Sequence, residues 1–492
     1  MVAPQARRRA GLAVVVLLAV VHGSTHAVVR PVYQVSDEVV YLSTVQAATM
    51  AGPDSTAERR CLAPPDGRFP QLPATTKPGF LAVTATQLRG ACQAGADGAS
   101  LLWLRLLQAV SLGIVAASAW TLARLLTGRD ADAWMAGLLV AAHPIAATHA
   151  GAVTPDAWAN AFSAIALVSG TRLLLRRSWW GDVPILLASA LAAYAWKDTT
   201  AFILLLPVLV LVLRTPSASG WQRAAWQRVP LLGAAAALAA AAGLLWFRSP
   251  YLAMEGARAG RLSSVSFGQA VLDDLLSQLG SMLASSWTAL GNFGASSLLV
   301  SPTAASIGFV LLCGGLVGGA WRLTHASRRV SPALVLAWGT CAAMCLIQPS
   351  VRHVLLGTED IHQGRWLLPM LAPGAAVMAC GLNGLRMRHG STALLWTVAV
   401  LTAMWLGILE TTRYFWYAYP DDLREIALFV RGTSGAVLDD ALILSIIRHS
   451  AAELPRVVPA LCFTLLPLLS AACCWYAARP ALRPERSPCP TR

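Results

Sequence analysis

Long apolar runs, separated by short arginine-rich segments, make up most of the 492-residue sequence. Runs such as 11–29, 231–247 and 457–478 have about the 20 residues that a helix needs to cross the hydrocarbon core of a bilayer. Only helices and closed barrels satisfy the backbone hydrogen bonds in lipid, and these runs are far longer than barrel strands. The pattern therefore predicts an all-α polytopic membrane protein with about 12 transmembrane helices.

Arginine clusters between the runs predict the direction of each helix, because short cytoplasmic loops carry an excess of Lys and Arg. Arg7, Arg8 and Arg9 precede the first run, so we expect a cytoplasmic N-terminus, and an even helix count returns the C-terminus to the same side. The predicted spans are 11–29, 101–126, 133–150, 157–175, 183–196, 199–213 and 229–247, four helices ending near residues 322, 347, 386 and 410, and 457–478.

The segments between the spans are longest on the predicted outer side. They are the outer loops 30–100, 248–300, 348–365 and 411–455, and the second of them contains an amphipathic stretch, 271–283, that we expect to lie flat on the membrane. Residues 479–492 form a basic, Pro-rich tail, which we expect in the cytoplasm.

Composition supports a lipid-facing surface. Only 13% of the residues are charged, against about 25% in a soluble domain. The net charge of +14 would suggest nucleic acid as the partner of a soluble protein. Here the arginines lie between apolar runs as topology signals, so the bilayer is the expected partner and nucleic acid is not.

Acidic and basic side chains gather on the predicted outer side. Asp37 and Glu38 are adjacent, just past the first run, and two carboxylates at a membrane face are costly unless they are solvated or used. A catalytic role and a helix N-cap at Ser36 or Asp37 are both compatible with this spacing. Lys77 and Lys197 are the only lysines in the chain, and both fall on this side.

Two of the ten cysteines, Cys61 and Cys92, lie in the first outer loop, apart from the others. Disulfides form outside the cytoplasm, so we expect these two to pair. No cysteine or histidine spacing in the sequence indicates a zinc site.

Five short segments resemble GT-C glycosyltransferases, which are polytopic enzymes that use polyprenyl-phosphate-linked sugars. Residues 37–41 (Asp-Glu-x-x-Tyr) and 77–78 (Lys-Pro) look like the first outer loop of aminoarabinose and mannosyl transferases. Residues 154–156 (Thr-Pro-Asp) and 196–197 (Trp-Lys) match later motifs in order. Residues 363–369 resemble an uncharacterised bacterial branch associated with surface-polysaccharide and teichoic-acid glycosylation.

The resemblance implies which carboxylates do the chemistry. A sugar transfer needs a base that deprotonates the acceptor hydroxyl. Asp37, with Glu38 beside it, is the expected base or acceptor-orienting carboxylate. Asp156 either assists Asp37 or holds a divalent cation with it through oxygen ligands.

The same resemblance implies cations for the donor phosphate, whose charge must be stabilised as it departs. Lys77, Lys197 and Arg365 are the candidates, and Arg can bind phosphate through two hydrogen bonds. Two structural alternatives stay open. Lys197 could pair with Asp198 at a helix end, and Arg365 could extend its side chain to the membrane interface.

The implied organisation has two halves. Residues 1–250 form a GT-C-like catalytic module with the first outer loop, and 251–478 form a variable transmembrane half. The implied reaction moves a sugar, with inversion, from a polyprenyl-phosphate donor to an envelope glycan or lipid acceptor on the outer side of a bacterial inner membrane.

Two other classes of protein compete with this hypothesis. A transporter or flippase of lipid-linked sugars would place ionisable groups near the middle of broken helices, whereas the middles of these runs are almost free of charge. A non-catalytic subunit of an envelope-assembly complex would differ from the enzyme only in the activity of its variants.

Overall fold

The computed structural model describes most of the first half of the chain and separate parts of the second. The described residues are 4–29, 38, 41, 44, 45, 49, 77–93, 99–175, 181–213, 268–277, 289–293, 296–299, 314–323, 332–356, 364–384, 392–413 and 457–478. The predicted seventh helix and the predicted basic tail lie outside them.

The described residues are nearly all helical. The helices are α1 Pro4–Val29, α2 Pro78–Gln93, α3 Ala99–Thr127, α4 Asp130–Ala141, α5 Pro144–Ala150, α6 Asp156–Leu174, α7 Asp182–Trp196, α8 Leu205–Leu213, α9 Pro332–Leu356, α10 Leu371–Leu382, α11 Thr392–Arg413 and α12 Val457–Ala478. Two 3₁₀ helices, Asp198–Leu204 and Gly364–Met370, precede α8 and α10. Residues 268–277 and 314–323 are also helical.

A short antiparallel pair of strands, β1 Ala289–Phe293 and β2 Ser296–Leu299, lies inside the predicted outer loop 248–300. Ala289 pairs with Leu299 and Phe293 with Ser296, and the register shifts between them. The all-α prediction therefore misses one hairpin.

Ion pairs and hydrogen bonds between helix ends show how the first helices are arranged along the bundle. Near the start of α1, Arg8 contacts Asp130 at the start of α4 (Nε–Oδ2, 2.7 Å). Near its end, the carbonyl of Ala27 accepts a hydrogen bond from Arg105, near the start of α3. These two points on α1 are roughly 28 Å apart along the helix axis, about the thickness of a hydrocarbon core. Asp130 follows the end of α3 by three residues, so α3 begins beside the end of α1 and ends beside its start. Helix α3 therefore runs antiparallel to α1.

The predicted third helix is broken at Pro144. The helix before it ends at Ala141, and His143 caps the one after it by accepting a hydrogen bond from the Ala146 N–H (3.2 Å). The break leaves the Ala141 carbonyl without its helical partner, and the ring Nδ1 of the buried His22 lies 2.8 Å from this oxygen. A histidine in α1 therefore satisfies a backbone carbonyl at the break between the two helices.

Small residues bring the helices of the first half close together, as membrane helices require. A Cβ atom added to Gly151 would lie 2.7 Å from both the Gly23 carbonyl oxygen and the Ala27 nitrogen. The loop after α5 therefore lies directly on the last turns of α1.

The C-terminal helix α12 packs on the same bundle. Its Tyr476 ring stacks on Trp134 of α4 with a centroid distance of 4.3 Å. The Tyr476 hydroxyl occupies the space beside Gly11 of α1, where an added Cβ atom would lie only 2.6 Å from it. The two ends of the described chain thus meet in one core.

Three described helices are long and apolar enough to cross a membrane: Gln5–Val29, Leu102–Thr127 and Val457–Ala478. Shorter apolar helices of the described part are Asp182–Trp196, Thr199–Leu213, Pro332–Gln348, Leu367–Leu382 and Ala393–Leu409. The chain is thus a helical membrane protein by length and composition, and the count of 12 helices stays a prediction.

One predicted boundary differs clearly from the structure. The ninth helix is predicted to end near residue 347, but α9 continues to Leu356. The stretch after residue 347 contains charged residues, which the hydropathy pattern assigns to the outer loop 348–365. Helical geometry extends past the apolar run because the backbone hydrogen bonds of a helix do not depend on the hydropathy of its side chains.

Candidate functional site

One end of the helix bundle, which we name the site end, brings together the predicted polar residues of the first half. It contains the end of α1, the start of α3, the loop from Gly151 to Pro155, the start of α6 and the end of α7. Four predicted residues with described side chains lie here: Glu38, Lys77, Asp156 and Lys197. The sequence predicts all four on one side of the membrane.

Asp156 and Lys197 form an ion pair, in which the Lys197 ammonium donates to the Asp156 carboxylate. Asp156 is the first residue of α6, where the helix dipole favours a negative charge, and Lys197 follows the last residue of α7, where it favours a positive one. The Asp156 side chain is 4% exposed and the Lys197 side chain 14%. The alternative partner considered for Lys197 is Asp198, whose side chain is not described.

Lys197 is fixed by the turn that reverses the chain between α7 and the 3₁₀ helix. Its backbone is extended, and its N–H donates to the Ala193 carbonyl (2.9 Å). The Thr200 hydroxyl lies 2.8 Å from the Ala193 carbonyl oxygen and 2.7 Å from that of Lys197. This turn positions the ammonium over the start of α6.

The ion pair lines a small open pocket with about 280 Å³ of empty space. Asn160 and Thr199 continue its polar wall, Gln348 of α9 closes one side, and Pro369 of the second 3₁₀ helix closes another. The segment that carries Arg365 therefore borders the pocket. The Arg365 side chain itself is not among those that the structure describes.

A second pocket of about 240 Å³ adjoins the first and shares Asn160 with it. Its walls come from α3, α5, α6 and the start of α10, and apart from Ser111 and Asn160 they are apolar. A polar pocket with a basic and an acidic group thus continues into an apolar one.

Glu38 lies in a different environment, with a side chain that is fully buried. The Arg105 guanidinium binds it through two nitrogens, with 2.9 Å between Nε and Oε1. The backbone N–H of Val153 donates to the same Oε1 (2.9 Å), and Arg105 also donates to the Ala27 carbonyl (3.0 Å). Glu38 therefore joins the first outer loop to α1, α3 and the loop before Asp156.

Lys77 lies at the start of α2 and is 7% exposed. Its Nζ is 5.2 Å from the centroid of the Tyr41 ring, within the range of a cation–π contact. Gly79 allows this helix to approach α7, because a Cβ there would be 3.0 Å from the Ala195 carbonyl oxygen.

A row of aromatic rings joins the Lys77 region to the Lys197 region. Tyr41 contacts Phe80 (centroids 5.7 Å apart), and Phe80 contacts Trp196 (6.4 Å). Trp196 in turn contacts Phe162 (5.5 Å) and Trp158 (6.4 Å), both on α6. Lys77 therefore lies on the Tyr41 ring of this cluster, and Trp196 of the same cluster immediately precedes Lys197.

Besides Arg365, three predicted positions have no described side chain. Asp37 and Cys61 lie outside the described residues, and for Cys92 only the helical backbone is described. The base, the disulfide and the phosphate contact of Arg365 therefore stay predictions.

The predicted cation site also stays a prediction. Among the described residues no group of three or more His, Cys, Asp or Glu side chains converges to hold a metal ion. Of the two proposed ligands, Asp156 is described and Asp37 is not, and Lys197 occupies one of the Asp156 oxygens. The two described residues, Asp156 and Lys197, form a carboxylate–ammonium contact.

Arg105 and the aromatic row are not predicted from the sequence. Arg105 lies in the predicted second span, where its position near the outer end resembles an interfacial anchor. A charged residue within a transmembrane run is by itself a reason to search for a buried partner, and Glu38 is an acid near the same end. The aromatic residues lie on separate elements, and no local pattern connects them.

The opposite end of the bundle carries a second set of ion pairs. Besides Arg8 and Asp130, Arg172 at the end of α6 contacts Asp182 at the start of α7 (Nη1–Oδ1, 3.1 Å). The Asp182 side chain is 3% exposed and that of Arg172 is 45% exposed. These pairs provide matched controls for the site end.

No protein family and no curated protein matches the sequence. Solved structures of an archaeal oligosaccharyltransferase from Archaeoglobus fulgidus are similar to the chain. Its apo form gives a TM-score of 0.47 at 14% identity, covering 84% of this chain and 58% of that one. The same enzyme, AglB, in complex with an inhibitory peptide and a dolichol-phosphate gives 0.45 at 13% identity, with the same coverage.

A third structure, tethered to an acceptor peptide, gives a TM-score of 0.45 at 13% identity and covers 89% of this chain and 63% of that chain. The chain thus spans less than two thirds of the length of the oligosaccharyltransferase. At these TM-scores and identities the similarity carries no conclusion about activity.

Proposed function

We propose that the chain is a GT-C type membrane glycosyltransferase that moves a sugar from a polyprenyl-phosphate donor to an envelope glycan or lipid acceptor. The observation that carries the proposal is the Asp156–Lys197 pair at a polar pocket that adjoins an apolar one. An amphiphile with an anionic head and a hydrocarbon chain matches this succession of surfaces. The order of the sequence motifs supports the same donor.

The proposed chemistry is a direct displacement at the anomeric carbon. The acceptor oxygen attacks this carbon as its proton passes to Asp37, and the bond to the phosphate oxygen breaks with its electron pair. Inversion follows, because attack and departure occur on opposite faces. The products are the glycosylated acceptor and the polyprenyl phosphate.

The cations act on the departing phosphate, whose negative charge grows as the bond breaks. Lys197 lies on the pocket wall beside Asp156, and the segment of Arg365 borders the same pocket. Lys77 lies at the other end of the aromatic row. In a site with little water, such fixed charges stabilise the transition state strongly, and the carboxylate of Asp156 keeps the Lys197 ammonium in place.

The topology of the proposal places the site end on the outer side of a bacterial inner membrane, with both termini in the cytoplasm. The arginine distribution supports this orientation. It also agrees with the ion pairs and hydrogen bonds, by which α1 and α7 run toward the site end and α3 and α6 run away from it.

The test is release of polyprenyl phosphate by the purified protein in liposomes. A synthetic short-chain polyprenyl-phosphate hexose or pentose is supplied with extracted envelope lipids and glycans, and the lipid product is followed by mass spectrometry. We expect release that depends on the acceptor extract. Movement of the intact donor between leaflets without release would instead identify a transporter. If neither release nor movement occurred, the non-catalytic assembly subunit would be the remaining interpretation.

A further inference from the structure

The buried contact between Glu38 and Arg105 is unlike the chemistry that the motifs suggest for an Asp-Glu pair. Arg105 is 2% exposed and Glu38 is fully buried. The arginine presents two parallel N–H groups to the carboxylate, the geometry that gives the strongest and most directional carboxylate contact. Both carboxylate oxygens of Glu38 therefore already accept hydrogen bonds from one guanidinium.

A buried ion pair is weak support for stability, since removing both charges from water costs as much as their attraction returns. What such a pair fixes is geometry. Here it fixes four chain segments at once: Glu38 in the first outer loop, Arg105 in α3, the Ala27 carbonyl at the end of α1, and the Val153 N–H. We name this group the Glu38 clamp.

The clamp touches both segments that carry the proposed carboxylates. Asp37 precedes Glu38, so its Cα lies about 3.8 Å from that of Glu38. Val153 is three residues before Asp156 in a loop that rests on α1 at Gly151, where the backbones are too close for a side chain. Glu38, the sequence neighbour of the predicted base, is therefore bonded directly to the loop that leads to Asp156.

We propose that Arg105 is a positioning residue, which acts through Glu38 and the Val153 N–H to hold the Asp37 and Asp156 segments at one reacting centre. This proposal rests on the proposed glycosyl transfer for its effect on turnover. It assigns Glu38 itself to the clamp and leaves the base role to Asp37.

The primary variant is Arg105→Lys, which keeps the buried positive charge but loses the two parallel donors. A displacement of about 1 Å at a reacting centre costs up to about 100-fold in rate, so we expect kcat to fall by about 10- to 100-fold, with little change in the donor KM. The double variant Glu38→Gln, Arg105→Gln removes both charges and keeps hydrogen-bonding groups, so that loss of folding does not obscure the result. It should show the same loss of kcat.

Asp182→Asn is the matched control, because Asp182 is a similarly buried carboxylate in an ion pair at the opposite end. Its kcat should stay close to that of the wild type. Equal losses in Asp182→Asn and Arg105→Lys, or a wild-type kcat in a folded Arg105→Lys protein, would overturn the positioning role.

A distance measurement separates this proposal from the proposed function. Asp37→Cys and Asp156→Cys are combined, and their cross-linking by a short bifunctional thiol reagent is compared with each single variant. We expect a cross-link specific to the pair, formed several-fold more slowly after Arg105→Lys and unchanged after Asp182→Asn. A cross-linking rate that is the same with and without Arg105→Lys would contradict the clamp, and so would the absence of any cross-link. Both outcomes hold whether or not the protein is active. If cross-linking behaves as expected but the protein shows no sugar transfer, only the proposed function is contradicted.

Discussion

Two ion pairs at the same end of the bundle have similar components and different surroundings. The Glu38–Arg105 pair is bidentate, and its side chains are 0% and 3% exposed. The Asp156–Lys197 pair joins two helix ends, and its lysine is 14% exposed on the wall of a pocket. The first is enclosed by backbone from other segments and the second is open to a ligand. On this difference in enclosure rests our proposal that the first pair holds the fold and the second takes part in the chemistry.

The largest effect is expected at Asp37, the predicted base, which precedes Glu38 of the clamp in the sequence. Asp37→Asn keeps the shape of the side chain and removes the basic oxygen. We expect transfer to fall by about two to four decades, the range attributed to general base catalysis, while insertion and unfolding temperature are retained. The measurement is polyprenyl-phosphate release by the purified variant. Because Asn caps a helix nearly as well as Asp, full activity in this variant would select the capping role.

Lys77 gives the next prediction, because it lies at the far end of the aromatic row from Lys197. Lys77→Ala should lower turnover by about two to three decades if its charge stabilises the departing phosphate. Lys77→Arg should lose nearly as much, since a planar guanidinium does not reproduce the contact of a compact ammonium with a crowded phosphate. Turnover assays of both variants decide this. Wild-type turnover in the arginine variant would show that only the charge matters, and wild-type turnover in Lys77→Ala would exclude Lys77 from the site.

The enclosed pair should contribute more to the free energy of unfolding than the open pair, although the open pair is the one proposed for the chemistry. Arg105→Ala leaves the Glu38 charge buried without its guanidinium, which costs about 3–5 kcal/mol. Lys197→Ala removes a charge-assisted hydrogen bond at a pocket wall, and we expect a loss of about 1.5–3 kcal/mol. Unfolding of the purified variants in mixed micelles measures both losses. A larger loss for Lys197→Ala would contradict the distinction between the enclosed and the open pair.

The sequence predicts the bounds of a helix well where the hydrocarbon core sets the length of both the apolar run and the helix. Residues 457–478 match α12 at both ends, and the predicted fourth and fifth spans differ from α6 and α7 by no more than one residue at either end. The third span is predicted as continuous because hydropathy does not register the effect of Pro144. The excess length of α9 has the opposite cause, since the helical backbone continues past Arg352 and His353, where the hydropathy pattern predicts a loop.

Within the site, the sequence identifies the residue types and misses the pairing. Asp156 and Lys197 are both predicted, but the partner considered for Lys197 is its neighbour Asp198. The contact with Asp156 spans 41 positions of the chain and arises from the packing of α6 on α7. Glu38 is grouped with Asp37 because they are adjacent, and only the fold shows that Arg105 encloses one of them.

The role of the open pair is tested most directly by the single-turnover rate of transfer in Asp156→Asn, compared with Asp182→Asn. Both variants neutralise a buried carboxylate at the start of a helix, and they differ in which end of the bundle they occupy. We expect Asp156→Asn to lower the rate by about two to three decades and Asp182→Asn to remain close to the wild type. Equal rates in the two variants would contradict the assignment of the Asp156–Lys197 pair to the reacting centre.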